Sequence, residues 1–213
     1  MLRRILAALA CIVADAPCIA QPLVRIPERC YQFQRHLIAE AHETLGLNAP
    51  VSVLGAQIMQ ESACKPDARS HVGASGLTQF MPATARWMAE LYPRELGPAD
   101  PLNPKWAISA QVRYMRDILR RNPASSECDS WAFALSGYNG GEGWLRRDQA
   151  VCSKLPLCDR GRWFGHVADT PDLRRSPAAR RENRGYPHRI LLTLAPAYDA
   201  AGWGRSVACP LTP

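Results

Sequence analysis

The stretch "QESACKPDARSHVGASGLTQFMPATA", from Gln60 to Ala85, joins the end of an apolar run to a loop rich in glycine and small polar residues. One carboxylate, Glu61, stands where the apolar run ends, and the loop carries Ser70, Gly76 and Gln79. Two explanations are open. The stretch is either a helix C-terminus followed by an ordinary turn, or a single proton-transfer group beside a polar cleft. The rest of the sequence has to distinguish them.

The segment from Val51 to Ser62 predicts a helix that carries Glu61 on its buried face. Leu54, Ile58 and Glu61 recur at spacings of four and three, which places them in one stripe. The C-terminus of a helix is unfavourable for a negative charge. We therefore expect this position, together with partial burial, to raise the pKa of the acid. A glutamate on a helix is usually a solvated charge, so Glu61 alone is weak evidence for catalysis.

The remaining segments predict a mostly α-helical chain. Sustained strand alternation is absent, and no second domain is evident, so we expect a single domain over residues 21–213 with a core of about 30–200. Residues 146–181, rich in Gly, Pro, Cys and Arg, are predicted to be an irregular insert. The further predicted helices are Glu28–Gly46, Pro82–Leu91, Lys105–Arg121, one capped by Asp129 that ends in "SGYNGGEG", and Tyr186–Ala201.

The first 20 residues are typical of a secretory signal peptide. Two arginines precede an apolar stretch from Ile5 to Ala14, and small residues lead to a predicted cleavage site at Ala20–Gln21. An uncleaved anchor is the alternative, although the stretch is short for a membrane span. We therefore expect a periplasmic or secreted protein.

The cysteines that remain after cleavage are even in number, as disulfides in an oxidising compartment require. Spacing alone does not fix their pairing; a short Cys152–Cys158 loop and a Cys30–Cys209 link between the chain ends are the weak expectations. Neither C-x2-C pairs nor metal-spaced histidines occur, so we expect no metal and no cofactor. The six cysteines are Cys30, Cys64, Cys128, Cys152, Cys158 and Cys209.

The formal net charge of +7 favours an anionic partner such as a cell-wall polymer, a membrane surface or nucleic acid. The densest basic run is "RRSPAARRENR", from Arg174 to Arg184. It contains no interleaved aromatic residues and no nucleic-acid-binding motif. We interpret it as a solvated face and expect no nucleic acid partner.

Five short motifs follow one another in a specific order. They are "ES", "SHVGASGLTQFMPATA", "DPLNPKWAISAQVRYM", "ALSGYNGGEGW" and "ENRGYPHRIL". In order and content this set resembles the soluble lytic transglycosylase family, which has a goose-lysozyme-like catalytic domain. The resemblance covers about residues 30–200. The departures are Thr78 where methionine is usual, glycine and serine in place of alanines around Tyr138, and Cys64 where a large residue is common.

The resemblance implies a role for particular side chains. Glu61 matches the catalytic acid, and Ser70 matches the loop serine beside it. Substrate-binding positions are implied for Ser70 and for the remaining matches, of which the last two line or support the same groove. These are Gln79, Tyr138, Asn139, Glu182 and Tyr186.

The resemblance also implies a mechanism that needs only one carboxylate. Glu61 would protonate the glycosidic oxygen between MurNAc and GlcNAc, then remove a proton from the 6-hydroxyl of the sugar, which gives a 1,6-anhydro end without water. No clear carboxylate partner for Glu61 is evident in the sequence. The implied partner is the peptidoglycan glycan strand, and family members of this size also serve secretion, conjugation or pilus machines. A lysozyme-type hydrolase and a wall-binding assembly factor with little turnover are the alternatives.

Three tryptophans are candidates for stacking on sugar rings. Trp87 stands at helical spacing and is predicted to be a core residue, whereas the sequence leaves Trp144 and Trp163 undecided.

Overall fold

The computed structural model describes residues 24–210, and these residues are α-helical with no named strand. The predicted signal peptide lies outside them. A 3-10 helix at Glu28–Phe33 precedes the first α-helix. The α-helices are α1 Gln34–Leu45, α2 Val51–Ser62, α3 Pro82–Leu91, α4 Pro93–Leu96, α5 Pro104–Arg121, α6 Glu127–Gly140, α7 Glu142–Cys152, α8 Pro177–Arg189 and α9 Ala195–Ala200, with a 3-10 turn at Val167–Asp169 and a π-helical turn at Ile190–Leu194.

Two helices, α2 and α6, form the centre of the core. Val51 to Ile58 of α2 and Trp131 to Gly137 of α6 are buried almost all round, as expected for helices enclosed by others. Helix α2 packs against α1, α9 and the π-helical turn, while α6 packs against α5, α7 and α8. Glu61, in the last turn of α2, is therefore carried by one of the least mobile parts of the fold.

Most helix bounds agree with the sequence predictions, since proline and glycine mark them. Helices α3, α5 and α8 begin with proline, whose missing N–H is not needed in the first turn. Helix α1 ends at Gly46, which has a φ of 90°. The mostly α-helical class is confirmed.

Three details of the predicted helices are wrong. The N-cap of α6 is Ser126, whose hydroxyl accepts from the Asp129 N–H at 3.1 Å, whereas the Asp129 carboxylate accepts from the Trp163 N–H at 2.8 Å. The predicted irregular insert, residues 146–181, is too long, because α7 continues to residue 152 and α8 begins at 177. The last predicted helix starts nine residues late for the same reason.

Three disulfides connect the described cysteines. The Cys152–Cys158 expectation is confirmed. The Cys30–Cys209 expectation is wrong, because Cys30 lies beside the end of α2 and pairs with Cys64, while Cys209 pairs with Cys128. The Cys30–Cys64 bridge joins the 3-10 helix to the second residue after the C-terminus of α2, three positions after Glu61.

The tryptophans also differ from expectation. Trp163 is fully buried against Phe133, so it belongs to the core. Trp87, predicted to be buried, is 40% exposed and packs edge-on against Tyr114. Trp144 is partly buried. Within residues 24–210, no helix has the length and apolar character needed to cross a membrane.

Candidate active site

An open cleft of about 550 Å³ brings six of the seven predicted site residues together. The loop after α2 forms one wall, α6 and α8 form the other, and Tyr114 of α5 lies between them. The seventh predicted residue, Tyr186, lies behind the cleft and contacts Glu61. The predicted residues that line the cleft are Glu61, Ser70, Gln79, Tyr138, Asn139 and Glu182.

The Glu61 carboxyl stands at the end of α2 and is largely removed from solvent. Its pKa is raised from an ordinary 4.5 to about 7, mainly by burial and to a smaller extent by the neighbouring Glu182 carboxylate. The Tyr186 hydroxyl donates a hydrogen bond to Glu61 Oε1, and this bond acts in the opposite direction. Near neutral pH the carboxyl is thus divided between its acid and its carboxylate form, as a group that first gives and then takes a proton requires.

Behind Tyr186 lies a buried polar pair that the sequence analysis missed. Gln57 and Gln111 are both fully buried, and Gln111 Nε2 donates to Gln57 Oε1 at 2.8 Å and to the Leu54 carbonyl at 3.2 Å. The Gln57 side chain faces the Tyr186 hydroxyl. Gln57 precedes Glu61 by one helical turn. An amide in an otherwise apolar stripe is the sequence feature that could have identified it.

Tyr138 approaches Glu61 from α6. Its hydroxyl donates to the Thr78 carbonyl at 2.7 Å, and its ring packs edge-on against Phe80 with the centroids 5.8 Å apart. Burial, and after it the charge of Glu61, holds the pKa of Tyr138 well above its ordinary value. The phenol therefore stays neutral and joins α6 to the loop after α2.

The predicted loop residues use part of their hydrogen-bonding capacity to hold the loop itself. The Ser70 hydroxyl accepts from the Ala74 N–H at 2.9 Å. Gln79, at a φ of 51°, donates its amide to the Gly76 carbonyl at 2.8 Å and to the Ala68 carbonyl at 3.2 Å. Within the described chain, Gln79 Oε1 and the Ser70 hydroxyl proton have no partner, so both can still contact a ligand.

The opposite wall is ordered by a side chain that the sequence analysis also missed. Asn183 is 1% exposed, and its Nδ2 donates to the Ser136 carbonyl at 2.9 Å and to Asn139 Oδ1 at 3.1 Å. Asn139 in turn donates to Glu182 Oε1 at 3.2 Å. Glu182 and Tyr186 are one helical turn apart on α8, which explains why both lie near Glu61, Glu182 in the cleft and Tyr186 behind it.

No three His, Cys, Asp or Glu side chains lie close enough to hold a metal ion anywhere between residues 24 and 210. The cleft is instead lined by one deeply placed carboxyl, an outer carboxylate, two phenols and several amides and hydroxyls. Such a set can exchange a proton and bind polar hydroxyl and amide groups.

The sequence profile of the Transglycosylase SLT domain matches residues 38–154, more than half of the chain. The chain belongs to the transglycosylase SLT family. Among curated relatives of this SLT chain, the soluble lytic murein transglycosylase of Salmonella typhimurium is 30% identical over 163 residues, which are 74% of this chain and 21% of that protein. The membrane-bound lytic murein transglycosylase F 2 of Alkalilimnicola ehrlichii is 34% identical over 122 residues, 57% of this chain and 25% of that protein.

The fold agrees with this membership. The 70-kDa soluble lytic transglycosylase of Escherichia coli superposes with a TM-score of 0.53 at 25% identity, covering 79% of this chain and 26% of that one. The same enzyme in complex with bulgecin A gives a TM-score of 0.54 at 24% identity. The lysozyme-like architecture is thus confirmed. This SLT chain spans about a quarter or less of the length of the relatives named here.

Two glycines of the cleft loop allow a matched test of the loop. Both have positive φ, but a Cβ on Gly76 would lie 1.7 Å from the Pro101 carbonyl oxygen, whereas a Cβ on Gly73 would meet nothing within 4 Å. Gly73→Ala should cost about 1 kcal/mol of unfolding free energy, from backbone strain alone. Gly76→Ala should cost roughly 2–4 kcal/mol, because the loop must also move away from Pro101. Equal losses in denaturant unfolding would show that the contact with Pro101 is unimportant.

The raised pKa of Glu61 predicts a pH-dependent stability difference between the wild type and Glu61→Gln. In the unfolded chain Glu61 loses its proton near its ordinary pKa of 4.5, but in the folded chain it keeps the proton until about pH 7. Over that interval the unfolded state binds fewer protons, so the wild type loses stability relative to the variant as pH rises. The loss of unfolding free energy of the wild type, measured relative to Glu61→Gln, should level off above pH 7 at on the order of 3 kcal/mol.

Denaturant unfolding at intervals from pH 4 to pH 8.5 measures this difference. Glu43→Gln, which removes the same charge from the exposed face of α1, controls for net charge. A stability difference between the wild type and Glu61→Gln that does not change with pH would contradict the raised pKa.

Proposed function

We propose that this chain is a peptidoglycan lytic transglycosylase that cleaves the β-1,4 bond between MurNAc and GlcNAc without water and leaves 1,6-anhydro-MurNAc ends. Family membership supports the reaction class, since the relatives are named lytic murein transglycosylases. The observation that carries the proposal is the Glu61 carboxyl, which has a pKa of about 7 and lies at the wall of an open cleft.

In the first step the protonated Glu61 donates its proton to the glycosidic oxygen. The electron pair of the C1–O bond passes to that oxygen, GlcNAc leaves as an alcohol, and positive charge develops on the MurNAc ring. The donor must still hold its proton near neutral pH, and the burial that raises its pKa meets that requirement. The Tyr186 hydroxyl would then stabilise the carboxylate that remains, because it donates to Oε1.

In the second step the 6-hydroxyl of MurNAc attacks C1, and the Glu61 carboxylate takes the hydroxyl proton. One proton leaves Glu61 and one returns, so the enzyme ends in the state in which it began. We infer that Tyr138, Asn139 and Gln79 bind the sugar, since each lines the cleft beside Glu61. The bound sugar would exclude water from C1 and so favour the internal hydroxyl.

A hydrolytic reaction of the lysozyme type is the second candidate, and one observation favours it. Glu182 lines the same cleft as Glu61 and is close enough to raise its pKa, so it could orient a water molecule. Glu182 is exposed, however, and Asn139 donates to its carboxylate, which is a poor position for a base aimed at C1. We therefore propose the reaction that forms the anhydro product rather than hydrolysis.

We propose a periplasmic or extracellular location, since the substrate lies outside the cytoplasm and three disulfides need an oxidising compartment. A wall-binding assembly factor of a secretion, conjugation or pilus machine is the candidate from another class. A carboxyl with a pKa near neutral argues for turnover, because binding alone does not need one.

Digestion of purified sacculi tests the proposal. The wild type should release muropeptides with 1,6-anhydro ends, and Glu61→Gln should lose at least about a thousandfold in rate, because the amide cannot give and retrieve a proton. Mass spectrometry distinguishes anhydro ends from the reducing ends of a hydrolase, which are 18 Da heavier by one water, and Glu182→Gln is the matched control. Reducing ends would show hydrolysis instead, and lysis by Glu61→Gln would exclude Glu61 as the acid.

A further inference from the structure

The positive charge of the chain is concentrated in the segment that carries α7 and α8. Residues 142–189 contain eleven Lys and Arg against six Asp and Glu, so they supply most of the formal net charge of +7. The sequence analysis interpreted the run from Arg174 to Arg184 as a solvated face. That interpretation is wrong for three of its arginines, which are partly buried: Arg175, Arg180 and Arg184.

Arg175 lies against the end of the cleft wall. Its two terminal nitrogens are 2.7 and 2.8 Å from the point at which a Cβ on Gly140 would stand, so the guanidinium occupies space that only a glycine leaves open. Gly140 is the last residue of α6 and lies between Asn139 and Gly141, which both line the cleft. Arg175 is therefore adjacent to the Asn139–Gly141 end of the cleft.

An aromatic ring supports this guanidinium. The Arg175 Cζ is 5.8 Å from the centre of the Trp144 ring, and the Cζ of Arg147 is 4.6 Å from the same ring. Stacking on tryptophan holds a guanidinium in place and leaves its edge available for a planar anion. Two arginines on one tryptophan also raise the local positive potential.

Arg175, like Arg180, has no carboxylate of the described chain within ion-pair distance, but of the two only Arg175 lies against Gly140 at the end of the cleft wall. Arg174 forms an ion pair with Asp172, and Arg184 forms one with Asp148 at 2.7 Å. Nothing between residues 24 and 210 accepts a hydrogen bond from the Arg175 guanidinium, and its Nη1 is buried without a partner. Burial and the neighbouring Arg184 lower the pKa of Arg175. The more distant carboxylates of Asp148 and Glu182 act in the opposite direction, and the arginine keeps its charge. A partly buried charge without an ion-pair partner costs free energy unless an anion binds to it.

We propose that Arg175, held on Trp144, forms a carboxylate-binding subsite at the Asn139–Gly141 end of the cleft, which takes the acidic peptide stem of the glycan strand. The inference rests on the proposed function, since a peptide attached to MurNAc carries free carboxylates next to the sugar chain. Because Nη1 is buried, the Nε–Nη2 edge of the planar guanidinium is the side that would meet a carboxylate by two parallel hydrogen bonds. Its position beside a sugar cleft favours this partner over a nucleic acid or a lipid headgroup.

Calorimetric binding of two soluble probes tests the subsite. The probes are the disaccharide GlcNAc–MurNAc and the same disaccharide carrying a tetrapeptide, and both are measured on the full chain. The wild type should bind the peptide-bearing probe roughly tenfold more tightly, as expected for charge-assisted hydrogen bonds. Arg175→Met keeps the stem on Trp144 and should remove this preference without changing the affinity for the bare disaccharide.

Two further variants define the role of the charge. Arg175→Lys should retain part of the preference, because it keeps the charge but not the fork. Arg174→Met removes an exposed arginine that already has a carboxylate partner, and it should leave the preference unchanged. Binding is measured without turnover, so a failure of the proposed reaction would not affect this readout.

Three results would overturn the subsite. The first is a wild type with no preference for the peptide-bearing probe. The second is an Arg175→Met variant that weakens both probes equally, which would indicate a structural role. The third is an Arg175→Met variant that keeps the peptide preference but loses binding to phosphatidylglycerol vesicles or to a short DNA duplex. That result would show that Arg175 binds phosphate groups instead.

Discussion

The contact between the Tyr186 hydroxyl and Glu61 Oε1, in a place from which water is largely excluded, is the interaction on which the site depends. Removing a carboxyl from water favours its neutral form, and the phenol donor partly restores the ionised form. The two effects leave Glu61 with a pKa of about 7, where either form is accessible. A more exposed carboxyl would lose its proton too early, and a buried one without a donor would not give it up.

The surrounding fold makes this balance durable. Glu61 is carried by a helix that is buried almost all round, and the Cys30–Cys64 disulfide fixes the chain directly after it. The Ser62 hydroxyl donates to the Leu77 carbonyl at 2.7 Å, and Gly76 packs against Pro101. The end of α2 and the cleft loop are therefore held together, so that the Glu61 carboxyl and the groups facing it keep one geometry.

Much of this could be predicted from the sequence, because local signals specify local structure. The stripe of Leu54, Ile58 and Glu61 set the helix face, and Pro82 set the start of the next helix. The ordered motifs named six residues that line the cleft and one that contacts Glu61 from behind it. Helical spacing also explains why Glu182 and Tyr186 both lie near Glu61.

What could not be predicted depends on contacts between distant segments. The roles of Gln57 and Asn183 depend on helix packing, because each hydrogen-bonds to groups on another helix. Gln57 does so where α2 packs against α8, and Asn183 where α8 packs against α6. The Cys30–Cys64 and Cys128–Cys209 pairings likewise follow from packing between distant segments rather than from cysteine spacing. In the sequence, Arg175 cannot be told apart from the exposed residues beside it. Only the structure shows that its guanidinium occupies the space that the missing side chain of Gly140 leaves.

The pKa of the Glu61 carboxyl is the quantity that tests the account most directly. It can be measured by ¹³C NMR titration of glutamate-labelled protein, with the Glu61 signal assigned from its loss in Glu61→Gln. The account predicts a titration midpoint at about pH 7, and a still higher midpoint in Tyr186→Phe, because the lost donor stabilises the carboxylate. A midpoint near the ordinary value of 4.5 would contradict it, since Glu61 would then be ionised at neutral pH and unable to act as the acid.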